Sequence, residues 1–282
     1  MSIKNSYTLL LGLLLSLCSC KKNNTIQPGV IPYGNDPNFE IVANVDEGFS
    51  GFNRKVVVFG IDLYAVPAVA DLKLLHAANV MAQYLDNNED GTVDNVLVLD
   101  HMLANKAFLV LWKQEDDLDF DPPQDRLGQD LGNDETFPMF VAEGKTGPFD
   151  ASLEEVLHLV NYAGHSFAYP KIFGLNPGSE LANAMDIARG GQFFNIPDPY
   201  PINAWYSYDD ETCEYDCQSI EYLYWAITSL LGAQENRLNV IGHEWKLNTH
   251  ALVELKDPAI YTLLTNPGYR LPTKLPDGSY RH

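Results

Sequence analysis

The chain has 282 residues, of which 38 are acidic and 18 basic, for a net charge of −20 at neutral pH. That excess repels a phosphate backbone, which argues against nucleic acid as a partner and favours a surface able to hold divalent cations. Hydrophobic residues make up 46% of the chain and aromatic ones 11%, ample material for a core, so residues 37–282 read as a single globular domain.

Lys4 precedes an apolar run over residues 8–17 that is too short to cross a bilayer as a mature helix. The run ends in Leu17-Cys18-Ser19-Cys20, which resembles the lipobox of bacterial lipoproteins, with small Ser19 just before the cysteine to be lipidated. Cys18 is the poorer acceptor, because bulky Leu17 precedes it. The resemblance implies a signal peptide over residues 1–19, lipid on Cys20, and an extracytoplasmic protein held to the cell envelope, its membrane partner reached through that lipid. An uncleaved N-terminal anchor would tether the same domain. Residues 20–36 are polar and broken by Pro and Gly, as a tether is. No later run is long and apolar enough to span a membrane.

Residues 55–66 are rich in β-branched and aromatic side chains and predict a central strand, which Pro67 ends while opening a helix to about Leu85. Residues 86–94 predict a loop, about 94–106 a helix, and 107–112 a second strand. Residues 113–136, rich in Asp, Gly and Pro, predict a long acidic surface loop. Residues 137–142 predict a short edge strand, since Pro138 has no N–H for an inner ladder. Ser179 caps a helix that runs to Arg189 and stops at Gly190-Gly191. An apolar helix follows over 221–234, and the last sixteen residues read as coil. Cys213 and Cys217 suit a local disulfide at a turn or helix start in an oxidising compartment; free thiols and metal ligation are the alternatives. The aromatic set between Tyr200 and Trp225 suits core packing, or else the lining of a sugar- or peptide-binding cleft. His76, among Leu and Ala, reads as a satisfied buried histidine.

The loop Asp86-Asn-Asn-Glu-Asp-Gly-Thr-Val-Asp94 resembles the first nine positions of an EF-hand calcium loop. Asp86, Asn88, Asp90 and Asp94 supply oxygens, the Thr92 carbonyl another, and Gly91 allows the sharp turn. Leu97 stands where the bidentate Glu belongs, so the resemblance implies Ca²⁺ at modest affinity, as in extracellular modules. An Asx-turn loop closed by its own side chains is the plainer reading.

Residues 152–165 carry the most chemistry. As an α-helix they send Leu153, Val156, Leu157 and Val160 to the core, while Glu154, His158, Asn161 and His165 fall within an arc of roughly 60° beside that stripe. Glu155 lies next to Glu154, and the segment contains no Lys or Arg. Two imidazoles and two carboxylates on one helix edge are metal-site material. The order strand, helix, strand, edge strand, helix resembles the zincin metallopeptidases, whose catalytic helix lies under an edge strand and carries His-Glu-x-x-His. Here the motif reads Glu154-Glu155-Val-Leu-His158, with Glu in the first ligand position.

The resemblance implies an α+β fold with a small sheet, a backing helix, an active-site helix and a mostly helical C-terminal half. It makes Glu154 and His158 ligands of Zn²⁺ and Glu155 the general base. His165 after Gly164 is a loose echo of a third His, one residue out of register. Otherwise a carboxylate from a later helix completes the set, from Glu180, Asp186 or Glu221. Tyr162, Tyr206 and Tyr208 are the candidates for stabilising an oxyanion. Two functions follow: a calcium-stabilised metallohydrolase acting on peptides or proteins, or a non-catalytic surface lipoprotein that keeps the scaffold as a binding module. Glu155-Val-Leu-His158 also matches the Glu-x-x-His of di-iron carboxylate bundles, but no second copy accompanies it.

Overall fold

Five strands form one open sheet in the order β1 (Val42–Ala43), β2 (Arg54–Val58), β3 (Ile61–Ala65), β4 (Phe108–Trp112), β5 (Gly128–Gly132). The computed structural model describes residues 39–114 and 120–282; the expected signal segment, Cys20 and the expected tether lie outside the described residues, as do residues 115–119 of the expected acidic loop. β1 and β2, and β2 and β3, pair antiparallel, whereas β3, β4 and β5 are parallel.

The run over 55–66, expected as one strand, is a hairpin. Phe59 and Gly60 both take positive φ, at 49° and 92°, the backbone of a tight two-residue turn whose twist matches its flanking strands. The edge strand also lies elsewhere than expected: residues 138–144 form turns, and β5 inside the acidic stretch takes the edge. Gly128 fits there because Phe108 lies against it, 2.2 Å from where a Cβ would sit. The helix expected from Pro67 begins at Asp71, since Pro67 sits in the preceding turn.

Alternation along the strands separates the two faces. Val56, Leu63, Leu109 and Leu131 join the main core, under the helices. Tyr64, Phe108 and Val110 point the other way, onto Phe49 and Phe52 in a smaller aromatic cluster. Helix α1 (Asp71–Leu85) leads into the Asp86 loop, and α2 (Val96–Ala104) follows with Asn95 accepting from the Val98 amide as its cap. Helix α3 (Ser152–Val160) packs across α1 and β5. Asp150, 2% exposed, fixes its start: the carboxylate accepts from Ser152 Oγ (2.7 Å) and the Phe137 amide (3.0 Å) and meets His76 Nε2 of α1 at 2.6 Å. His76 is thus a satisfied buried histidine, as its surroundings predict.

The helix over 152–165 is not α throughout. Residues Asn161–His165 form a π turn, with the Ser166 amide bonded to the Asn161 carbonyl, before the short α4 (Ser166–Ala168). Helix α5 (Glu180–Arg189) has its expected limits, with Ser179 capping the Ala182 amide and Gly190 at φ 79°. Helix α6 (Tyr215–Leu230) starts earlier than the expected 221, and the Cys213–Cys217 disulfide staples its first turn. Helices α7 (Leu238–Ile241), α8 (His250–Lys256) and α9 (Pro258–Leu264) complete a helical C-terminal half. The molecule is mixed α and β with an open five-stranded sheet, compatible with the expected α+β class.

Candidate metal centre

Helices α3 and α6 pack side by side and bring three residues together. Ligand atoms of Glu154, His158 and Glu221 all lie within 4.8 Å of one another, His158 Nε2 standing 3.6 Å from Glu221 Oε2. Glu154 and His158 meet because they are i and i+4 on α3. Glu221 arrives from the second turn of α6, the one among the three named carboxylates that reaches the ring. Glu180 is exposed at the start of α5, and Asp186 is occupied by Arg189 (2.9 Å), Tyr215 (3.0 Å) and Gln192 (3.1 Å). Neither joins the group.

His165 does not join it either. The arc assumed 3.6 residues per turn throughout, and the π turn winds less per residue, rotating His165 off the edge. It packs against the Phe173 ring at 5.6 Å, and burial drives its imidazole down to about 4, so it is neutral.

Glu155 lies on the opposite side of the His158 ring. Its Oε2 is 3.3 Å from His158 Nδ1 and accepts from Gln129 Nε2 of the edge strand at 2.6 Å. The carboxylate therefore orients the imidazole and leaves Nε2 facing Glu221, the arrangement by which outer carboxylates set a ligating histidine's tautomer. Gln129 was not foreseen, because β5 itself was not.

Three carboxylates surround one imidazole, and among the described residues no Lys or Arg pairs with any of them. Burial, then repulsion from Glu155 and Glu221, pushes the Glu154 carboxyl up to about 8. Burial opposes charge on His158, yet Glu221, Glu155 and Glu154 outweigh it and raise the imidazole to about 10. Burial likewise raises Glu221, which His158 only partly relieves. Protons do here what a dication would do: they neutralise crowded carboxylates. The Tyr208 hydroxyl stands beside Glu221 and that of Tyr224 beside Glu154, and the Tyr224 ring meets His158 edge-on at 5.4 Å. Tyr206 instead is buried and donates to the Gln218 carbonyl, and Tyr162 lines a separate cleft near Pro170.

Several buried polar atoms along this helix have no hydrogen bond. His158 Nε2, both carboxamide atoms of Asn161 and both ring nitrogens of His165 are buried without a partner. Most buried polar atoms in folded proteins are paired, so such a row calls for water or an ion. For His158 the donor set answers: one imidazole and two carboxylates are ligands that Zn²⁺ accepts, and together they balance its charge.

The Asp86 loop is built differently. Asp86 accepts from the amides of Asp90 (3.2 Å) and Gly91 (2.8 Å), Asn88 from Asp90 (2.9 Å), Asp90 from Thr92 (2.9 Å), and Asp94 from Asn87 (2.7 Å). The Tyr280 hydroxyl of the C-terminal tail also donates to Asp86. Asp86, Asp90 and Asp94 do not gather within 4.8 Å as the α3–α6 group does. Burial, with repulsion from Asp86 and Asp90, raises the Asp94 carboxyl, so the loop still carries excess negative charge.

Among the described residues no helix is long and apolar enough to cross a membrane. No protein-family model, no curated protein and no solved structure matches this chain.

Proposed function

We propose that the chain is a lipid-anchored, extracytoplasmic metallohydrolase of zincin-like design, acting on peptides or proteins and stabilised by calcium. The observation that carries the reading is the convergence of Glu154, His158 and Glu221 from two helices around the orphaned Nε2 of His158. A Zn²⁺ ion held by Glu154, His158 and Glu221 would supply Lewis acidity, polarising a carbonyl and making water easier to deprotonate. The protein's own groups do the rest. The zincin resemblance makes Glu155 the base that would take the proton of the attacking water; its Oε2 is held by Gln129 on the Nδ1 side of His158, so its carboxylate would have to turn toward the Nε2 side to do so. The Tyr208 hydroxyl, beside Glu221 and at the wall of a surface cleft, donates to the developing oxyanion. Cys20, at the end of the lipobox-like segment, is the anchor; Cys20→Ala should free the protein from membrane fractions, and unchanged partitioning would remove that part of the reading.

One observation favours the non-catalytic alternative. Glu155 is tied to Gln129 and to His158 Nδ1, a posture that positions a ligand and does not present a base. On that reading the chain is a non-catalytic surface lipoprotein that keeps the scaffold as a binding module. Metal analysis decides whether there is a centre at all: the full chain should retain about one equivalent of zinc, and His158→Ala and Glu221→Gln should each lose it. Equal zinc in wild type and both variants would end the metallohydrolase reading and leave the binding module.

A further inference from the structure

Beside Tyr208 lies a second constellation that shares no ligand with the first. The segments around residues 206–209 and 243–245 are pinned backbone to backbone: Tyr206 and Trp245 pair antiparallel, the Ser207 amide donates to the Glu244 carbonyl (2.8 Å), and Ser207 Oγ donates to the His243 carbonyl (2.7 Å). Tyr206 and Trp245 are both fully buried, so this frame is part of the core. It holds ligand atoms of Asp209, His243 and Glu244 within 4.8 Å of one another, with His243 Nε2 3.3 Å from Glu244 Oε1. They line a cleft of about 380 Å³ that Asp198, Tyr200 and Tyr208 also border, and no Lys or Arg lines it.

We propose that Asp209, His243 and Glu244 form a second divalent-cation site at the mouth of this cleft, taking a borderline transition ion such as Zn²⁺ or Cu²⁺. The imidazole selects such an ion over Ca²⁺ or Mg²⁺, and the two carboxylates balance its charge. The three donors come from two segments fixed against each other, so binding orders side chains only. His243 is 63% exposed, which makes the ion exchangeable and leaves coordination positions open to water or to a ligand in the cleft. Glu244 bears the same electrostatic burden as the inner group: burial, then Asp209 and Glu221, raise its carboxyl, and His243 relieves it only in part. Tyr208 forms the wall between the two groups, near Glu221 on one side and Glu244 on the other.

The test is a Zn²⁺ titration of the untagged full chain after chelator stripping, by calorimetry or equilibrium dialysis. His243→Ala should bind one equivalent fewer than wild type, and Asp209→Asn should weaken that same equivalent about tenfold or more. Both residues are exposed, so loss of fold is not expected, and an unchanged melting temperature checks it. His158→Ala should keep the outer equivalent, which separates this site from the inner one. If His243→Ala and Asp209→Asn bind Zn²⁺ with wild-type stoichiometry and affinity, the proposal is overturned, whatever becomes of the inner site. As a second readout, Cu²⁺ bound to His158→Ala should show imidazole nitrogen coupling in its paramagnetic resonance spectrum, and a signal unchanged by adding His243→Ala would also overturn it.

Discussion

The α3–α6 group and the Asp86 loop are both dense in metal-binding side chains, yet they manage their polarity in opposite ways. The loop satisfies its own oxygens, since backbone amides from Asn87 to Thr92 and the Tyr280 hydroxyl already occupy them. The helix group leaves His158 Nε2 without a hydrogen bond and crowds three carboxylates around that one imidazole, with no Lys or Arg among the described residues paired to them. A regular motif in sequence is therefore a poor guide to need. The loop, with the better match to its pattern, is knit by hydrogen bonds of its own, while the degenerate Glu-Glu-x-x-His leaves a buried imidazole nitrogen without one.

The largest expected effect sharpens the chemical side of this contrast. Glu155→Gln keeps both Glu154 and His158 and replaces the base by a neutral amide, whose oxygen can still accept from His158 Nδ1. With a hydrolytic assay in hand, it should lower kcat by roughly 10²–10⁴ while zinc content stays at the wild-type level. Loss of zinc together with loss of activity would assign Glu155 to orienting His158 and would favour the binding-module reading.

Among the buried contacts that join the two regions is the His76–Asp150 pair, and breaking it comes next in size. His76 sits on α1, which leads into the loop, and Asp150 fixes the start of α3. Burial pushes the Asp150 carboxyl up, but hydrogen bonds from His76, Ser152 and the Phe137 amide outweigh it and hold it below the ordinary value. Folding thus favours the ionised form, so its contribution is complete above the usual Asp range near pH 4 and is lost as pH falls through the lower folded value. His76→Ala strands the carboxylate and should cost about 3 kcal/mol, or roughly 6–12 °C in melting temperature for a domain of this size. Acid unfolding of the variant should also begin at higher pH than in wild type. An unchanged acid midpoint would mean that His76 does not hold the Asp150 charge.

What was legible in the sequence was local. Helix α5 announced itself through Ser179 and Gly190, and Glu154 and His158 share a face because i and i+4 always do. The hairpin at Phe59-Gly60 was hidden by the β-rich residues on both sides of a two-residue turn. Strand β5 was hidden because Gly-Gln-Asp-Leu-Gly has no β-branched residue; its place comes from parallel pairing with β4 and from Phe108 lying over Gly128. The π turn defeated the extrapolation to His165, since no residue type signals the change of winding. Glu221 was named with two others, and only the packing of α6 on α3 selects it. Asp209, His243 and Glu244 gave no signal, because a contact between two distant loops has no period to read.

The smallest effect tests the loop itself. If its self-made hydrogen bonds only shape a cradle, Ca²⁺ still binds there through Asp86, Asn88, Asp90, Asp94 and the Thr92 carbonyl, weakly, because Leu97 replaces the last carboxylate. With a dissociation constant near ~1 mM, 10 mM Ca²⁺ adds about 1.4 kcal/mol to the folded state, a rise of roughly 3–5 °C in melting temperature. Asp90→Ala removes one ligand and the acceptor of the Thr92 amide, and it should abolish that rise while lowering the calcium-free melting temperature only slightly. Mg²⁺, which is smaller and holds its water more tightly, should give a weaker response in wild type. An equal calcium response in wild type and Asp90→Ala would show that the loop is closed by its own side chains and has no room for an ion, and the contrast between the two regions would then be complete.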